Sequence, residues 1–152
     1  MRNYPDRFVR HSSRLALFPL CFALLAGCAS SPVAREPVPD LSGTRWTVVA
    51  VDGSTPQRGN EPLSVEFGVD GRISGNGGCN SFSGPYIRDD ETLRVGELLS
   101  TRRACAEAAR QRQESRILAI LEGETSLRRE RSDRISLRKD AGSLLLAPRG
   151  YE

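Results

Sequence analysis

A single segment of the chain, residues 104–121, lacks glycine and proline and carries its apolar side chains at helical spacing. The apolar positions on or near one face are Ala104, Ala108, Ile117, Leu118 and Leu121, and the charged positions around the rest are Glu107, Arg110, Arg112, Glu114 and Arg116. Thr101 is the predicted N-cap, and Gly123 follows the predicted end. We therefore expect one α-helix in the chain.

Elsewhere after residue 40, turn residues divide the chain into short segments that alternate apolar or β-branched side chains with polar ones. These segments predict strands at residues 46–51, 63–67, 72–74, 82–87, 93–95, 98–100, 125–129, 135–138 and 143–147. The Asp70-Gly71 pair predicts a type I′ hairpin turn. Strands, one helix and further strands predict an α+β fold, in which an antiparallel β-sheet, barrel-like or two-layer, packs around a single α-helix.

The N-terminus has the pattern of an export signal. An uncharged run at residues 15–25 follows four arginines, and it is shorter than the ~20 residues that a membrane-spanning helix needs. The next residues, Ala26-Gly27-Cys28, supply small side chains where a peptidase cuts and a thiol that accepts a diacylglyceryl group. We predict cleavage before Cys28 and lipidation of its thiol. The alternative is an ordinary secretory signal that happens to contain a cysteine.

Removal of residues 1–27 leaves a mature chain of 125 residues, which is enough for one domain. Residues 28–40 are rich in proline, serine and alanine and predict a lipidated tether, whereas residues 41–148 hold the domain. The removed segment contains four of the 22 basic side chains and one of the 19 acidic ones, so 18 of each remain. This neutral balance argues against a nucleic-acid partner.

The mature chain has no histidine, because the only one, His11, lies in the export signal. This excludes histidine-dependent nucleophile pairs, histidine acid–base catalysis and the usual catalytic zinc ligands. Its carboxylates fall in turns or at polar strand positions, as at Asp52, Glu66, Asp70 and Glu97. We therefore predict a protein that is not an enzyme, with no catalytic residue, no metal site, no cofactor and no buried carboxylate cluster.

Cys79 and Cys105 are the two mature thiols besides Cys28, and in an oxidising compartment they have one possible pairing. We favour a structural disulfide over a redox-active pair, because redox pairs usually stand two residues apart and these stand 26 apart. The glycine-rich run at residues 75–80 lacks the Gly-Lys-Ser/Thr of a phosphate loop. We interpret its glycines as permitting a bend and close backbone contacts.

Two groups of side chains have both a structural and a binding interpretation, and a third group has a structural interpretation only. Arginines at 128, 129, 131, 134 and 138, with Lys139, form a basic stripe that is either a solvated strand face or a contact for anionic lipid head groups. Residues 89–91 are acidic and predict a solvated turn. The aromatic side chains either fill the core or line a small apolar cavity, and they are Trp46, Phe67, Phe82 and Tyr86.

These motifs resemble the META domain of the HslJ type, a family of small bacterial envelope proteins that also occurs in trypanosomatid parasites. The resemblance covers about residues 41–148. It begins at Gly43-Thr44-Arg45-Trp46 and continues through Leu63–Phe67, Asp70-Gly71, Gly75, Gly78-Cys79-Asn80, Phe82, Gly84 and Tyr86, then Ser100-Thr101-Arg102-Arg103-Ala104-Cys105 and a helix with Glu114 and Leu118. Arg103 departs from the family, which often has methionine there.

The resemblance implies an antiparallel β structure with a packed helix, similar to a pilot lipoprotein of type III secretion. Its members are associated with heat shock, novobiocin resistance and, in parasites, motility or virulence, and no enzymatic activity is assigned to them. We therefore expect a lipid-anchored envelope protein that binds a protein partner or a small apolar ligand and supports envelope integrity or stress tolerance. A pilot-like chaperone is the first alternative and an enzyme the second. Ala29 after Cys28 favours the outer membrane, facing the periplasm.

Overall fold

Nine strands and one helix make up the part of the chain that the computed structural model describes, which is residues 36–57, 59, 61–103 and 105–150. The elements in chain order are β1 (Thr44–Val51), β2 (Ser64–Phe67), β3 (Arg72–Asn76), β4 (Ser81–Asp89), β5 (Thr92–Val95), β6 (Leu99–Ser100), α1 (Ala108–Leu121), β7 (Gly123–Arg129), β8 (Ile135–Lys139) and β9 (Gly142–Pro148). The predicted export signal and the lipid acceptor Cys28 lie outside the described residues.

Eight of these strands close into an antiparallel barrel. The hydrogen-bonded order is β3-β2-β1-β9-β8-β7-β5-β4, and β3 also pairs with β4, which joins the two ends of the order. The short strand β6 pairs with β4 at Phe82 and Ser83, beyond the stretch where β4 pairs with β5. The structure therefore confirms the predicted α+β fold and selects the barrel-like sheet over the two-layer one.

The barrel is filled by side chains that alternate along each strand. Val65, Phe67, Ile73 and Leu93 are fully buried, as the period of two in a strand requires. Within the described residues, the buried apolar side chains all come from residues 41–147, so residues 36–150 contain their own core. The predicted strands match the observed ones to within a few residues at each end.

The turn between β2 and β3 differs from the predicted type. A type I′ turn requires a positive φ at both central residues, but Gly71 has a φ of +73° and Asp70 does not have a positive φ. The N–H of Gly71 donates to the carbonyl of Gly68 (3.3 Å), and the N–H of Gly68 donates to the carbonyl of Arg72 (2.7 Å). The hairpin therefore has a three-residue loop in which the glycine takes the left-handed position.

The helix starts later than predicted. It begins at Ala108, after an N-cap at Glu107 that makes no side-chain capping hydrogen bond. Of the residues predicted to form its first turn, Cys105 is held in a disulfide, and the predicted cap Thr101 bonds to Asn80 instead. These tertiary bonds hold the leading segment in a non-helical conformation, so the predicted start and cap were wrong.

The helix covers one end of the barrel. It contacts β1, β7, β8 and β9, and its buried residues are Glu114, Ile117, Ile120 and Leu121. At this end Arg116 Nε pairs with Asp52 in the turn after β1, at 2.6 Å from its Oδ2. The prediction had placed Ala108 on the buried face and Glu114 on the polar one, and the structure reverses both assignments.

The segment before β1 covers the opposite end. Leu41 is 1% exposed, and Val38 packs partly buried against the core. The guanidinium of Arg88 donates to the carbonyls of Pro39 and Val38, and the Arg129 guanidinium pairs with Glu36 at 3.2 Å. Residues 36–40, which were assigned to the tether, therefore pack on the barrel because their backbone carbonyls and one apolar side chain find partners there.

Candidate functional site

The carboxylate of Glu114 is the buried polar centre of the structure. The residue is 7% exposed. Its Oε2 accepts hydrogen bonds from the backbone N–H groups of Cys79 (2.9 Å) and Asn80 (2.7 Å), and its Oε1 accepts one from Nδ2 of Asn80 (2.8 Å). Three donors replace the water that this carboxylate loses on burial, so the charge is compensated within the fold.

Asn80 extends this network to the segment that leads to the helix. Its Oδ1 accepts hydrogen bonds from the hydroxyl of Thr101 (3.0 Å) and from the backbone N–H of Arg103 (2.6 Å). The Thr101 hydroxyl oxygen also accepts from the N–H of Ser81 (3.2 Å), and the Ser100 hydroxyl donates to the Ser81 carbonyl (3.4 Å). Asn80, Ser100 and Thr101 of the family motif are therefore neighbours that hold two chain segments together.

A disulfide between Cys79 and Cys105 lies beside this network. Their Cα atoms are 5.7 Å apart, which is within the ~7 Å that a bridge spans without backbone movement. The bridge joins the β3–β4 turn to the segment before α1, the same two segments that Asn80 joins. Its placement favours a structural role, and its formation in the cell stays a prediction.

Gly75 and Gly77 occupy positions that leave no room for a side chain, and Gly78 has a backbone conformation that favours glycine. A Cβ at Gly75 would lie 1.9 Å from a backbone oxygen of β2 and 2.7 Å from Cζ of Phe82. A Cβ at Gly77 would lie 2.7 Å from Cγ of Glu114, and Gly78 has a φ of +121°. The run therefore permits close approach to the buried carboxylate and a left-handed backbone, in agreement with its interpretation as a bend.

The remaining motif residues belong to the barrel wall and its core. Trp46 in β1 is 5% exposed, and its Nε1 donates to the hydroxyl of Thr44 (2.8 Å). Phe82 is buried in β4, where Gly84 pairs with Ile73. Tyr86 is half-buried, packs edge-on against Phe67 and donates its hydroxyl to the Gly68 carbonyl (3.2 Å), and burial is the main reason that its pKa is raised. The core interpretation of Trp46, Phe67 and Phe82 therefore agrees with their burial.

An apolar groove of about 370 Å³ lies on the outer wall of the barrel. Pro85 and Ile87 project outward from β4, and Ile87 is 69% exposed. Gly96 keeps the floor open, because a Cβ there would lie 2.8 Å from Cγ of Pro85. The Arg94–Glu124 ion pair (2.9 Å) borders the groove, so an apolar surface is flanked by a polar rim. This arrangement is typical of a binding surface.

The four carboxylates named in the sequence analysis occupy separate environments. Asp52 pairs with Arg116 at the helix end, and hydrogen bonding from Arg116 is the main reason that its pKa is lowered. Glu66 pairs with Arg45, Asp70 lies in the β2–β3 turn, and Glu97 is exposed after β5. Over the described part of the chain, no group of three or more histidine, cysteine or acidic side chains is arranged to hold a metal ion.

The sequence analysis did not predict two features of the structure, the burial of Glu114 and the apolar groove. Glu114 lies three residues before Ile117 and seven before Leu121, so helical spacing does place its carboxylate on the apolar face. The groove had no comparable signal, because it depends on Pro85 and Ile87 of β4 lying beside Gly96, which follows the paired strand β5. Among the described elements, α1 is too short and too polar to span a membrane.

Comparison with known proteins identifies the family. The sequence model of the META domain family matches residues 39–150 of this chain. An NMR structure that is 23% identical superposes with a TM-score of 0.61 over 71% of this chain and 91% of the other. An NMR structure of a protein from Burkholderia xenovorans is 25% identical, with a TM-score of 0.58 over 81% of this chain and 96% of the other. No curated protein matches significantly. The chain belongs to the META domain family.

Proposed function

We propose that this META domain protein is a lipid-anchored component of the bacterial envelope that binds an apolar segment of a partner protein or a small apolar ligand. It has no catalytic role in this proposal and supports envelope integrity or stress tolerance. The observation that carries it is the groove at Pro85, Ile87 and Gly96, which leaves apolar side chains in solvent on an otherwise polar wall. A cost of exposure on the order of 25 cal/mol per Å² favours covering such a surface.

Site-specific photo-crosslinking in intact envelopes tests this proposal. A photoreactive residue at Ile87 is expected to capture a defined partner or lipid-like ligand, because Ile87 lies in the groove. The matched control is Val69, which is 83% exposed but lies in the β2–β3 turn. A product specific to position 87, and lost when Gly96 is replaced by valine to fill the groove, supports the proposal. Equal products from both positions contradict it.

A pilot-like chaperone is the second candidate, and strand β6 is the observation that favours it. This strand stands at the end of the hydrogen-bonded order and pairs only with β4 within the described residues, so its outer edge has unpaired backbone groups. Leu99 on β6 is 68% exposed. Such an edge accepts an extended peptide by strand addition. Crosslinks concentrated at Leu99 rather than Ile87 favour this candidate.

A further inference from the structure

A cleft of about 460 Å³ lies where the N-terminal segment meets the barrel wall. Its wall is formed by β7 and β8, by the turn after β4 and by the first described residue, Glu36. Six charged side chains line it, and they are Glu36, Glu91, Arg128, Arg129, Glu130 and Arg138. Of these described side chains three are basic and three acidic, so together they carry no net charge.

Four of these six charges already have partners in the cleft. The Arg129 guanidinium pairs with Glu36 at 3.2 Å, and Nη2 of Arg138 lies 3.6 Å from Oε1 of Glu130. These pairs fix two walls of the cleft and leave no surplus charge of either sign. They therefore do not select a simple anion or a simple cation.

Arg128 and Glu91 are the two remaining charges, and they have opposite signs. Among the described residues, neither side chain forms an ion pair within 4.0 Å or a side-chain hydrogen bond, and they do not pair with each other. Their backbones are nevertheless held together, because the N–H of Leu127 donates to the carbonyl of Glu91 (2.7 Å). The cleft thus presents one guanidinium and one carboxylate from two backbone segments that are hydrogen-bonded to each other.

We infer that this cleft binds a phosphoethanolamine group, the head group of a bilayer lipid. The Arg128 guanidinium donates hydrogen bonds to the phosphate oxygens, and the Glu91 carboxylate accepts them from the primary ammonium. A zwitterion of this kind satisfies both open charges at once and preserves the neutrality of the lining. A quaternary ammonium lacks N–H donors, so the cleft distinguishes ethanolamine from choline.

The position of the cleft favours a lipid as the source of this group, and this step rests on the proposed lipid anchor. Glu36, in the cleft wall, is eight residues after Cys28. An extended chain of that length reaches at most about 27 Å, at about 3.4 Å per residue. An anchored protein therefore keeps this end of the barrel, opposite the helix, within reach of the head groups.

Vesicle flotation of the chain without acyl groups, residues 29–152, tests the site separately from the anchor, since residues 36–150 contain their own core. We expect stronger binding to phosphatidylethanolamine–phosphatidylcholine vesicles than to phosphatidylcholine alone. Arg128→Gln should weaken binding about tenfold, the effect of losing one hydrogen bond to a charged group. Glu91→Gln should remove the preference for ethanolamine. Arg112→Gln in α1 and Glu97→Gln after β5 change exposed charges at the end of the barrel that the helix covers. These variants should leave the binding and the preference for ethanolamine unchanged.

Soluble glycerophosphoethanolamine serves as the competitor, and glycerophosphocholine as its control. Displacement by the ethanolamine compound alone supports a head-group site. Binding of the soluble compound without any vesicle preference overturns the lipid source. Equal binding to all vesicles with no binding of the soluble compound overturns the site. Mass spectrometry of Cys28 from native membranes tests the anchor independently. A lipidated chain without ethanolamine selectivity refutes this inference alone, whereas selectivity in a chain that is not lipidated refutes only the anchor.

Discussion

Glu114 and Asn80 share two hydrogen bonds, one from the backbone N–H of Asn80 (2.7 Å) and one from its side-chain amide (2.8 Å). This relationship joins the helix to the β3–β4 turn across 34 positions of sequence. It also explains why a carboxylate is tolerated on the buried face of α1, since the turn presents donors to both of its oxygens.

Replacing Glu114 with alanine should destabilise the domain strongly. The change leaves three N–H donors without an acceptor, two of them buried and one part-buried, and such a loss costs on the order of 3 kcal/mol. Chemical denaturation followed by circular dichroism measures the change in the free energy of unfolding. Glu107→Ala is the matched control, because Glu107 is largely exposed and its carboxylate pairs with Arg110 at the helix surface. Similar losses for the two variants would contradict the role assigned to Glu114.

Removing the disulfide should lower stability without abolishing function at the proposed sites. The double variant Cys79→Ala/Cys105→Ala should lose about 3.5 kcal/mol, because the bridge closes a loop of 26 residues in the unfolded chain. Thermal unfolding with and without reductant measures the loss, and reductant should not affect the double variant. Loss of function at unchanged stability would instead favour the redox interpretation.

The Asp52–Arg116 pair should make a small, acid-sensitive contribution to stability. The hydrogen bond from Arg116 lowers the pKa of Asp52 below its ordinary 3.8, so the contribution is present above that pH and is lost as the pH falls through the lowered value. The side chains are 44% and 39% exposed, so solvent screening keeps it modest. Asp52→Asn should lower the melting temperature slightly at pH 6, and this effect should shrink at an acidic pH below 3.8. Asp140→Asn, at an exposed turn, should have none at either pH.

Cys28→Ser should remove the protein from the membrane fraction or leave its signal uncleaved. The expected cause is loss of the thiol that accepts the diacylglyceryl group. Fractionation of wild-type cells should place the protein with outer-membrane markers, since Ala29 follows the acceptor. Normal cleavage with unchanged membrane retention of the serine variant would contradict the anchor, and co-fractionation with inner-membrane markers would contradict the sorting.

Local patterns predicted the strands well because each strand buries alternate side chains in one common core. Leu93 and Val95 in β5, for example, alternate with polar neighbours and are both buried. The same reasoning failed at residues 105–107, which were predicted to be helical and lie before the observed helix. Bonds to Asn80 and Cys79, more than 20 positions away, hold that segment, and a local pattern contains no information about them.

The candidate sites were less predictable than the fold, because they depend on which outward side chains become neighbours. Arg128 appeared in the sequence as one member of a basic stripe, and Glu91 as part of an acidic turn. Only the pairing of β5 with β7, with Thr92 opposite Ser126, brings these two residues to one cleft. The outer groove arises in the same way from β4 and β5.

The barrel of this protein cannot close until β1 has paired with β9. Thr47 lies opposite Ala147, so the seam joins residues one hundred positions apart. Contacts of such long sequence separation form slowly, and this seam needs the last strand of the domain. A chain that is still emerging from a ribosome or a translocation channel therefore lacks a closed barrel. Until β9 is released, the chain can still pass through a channel in an extended form. Export in an unfolded state requires such a chain.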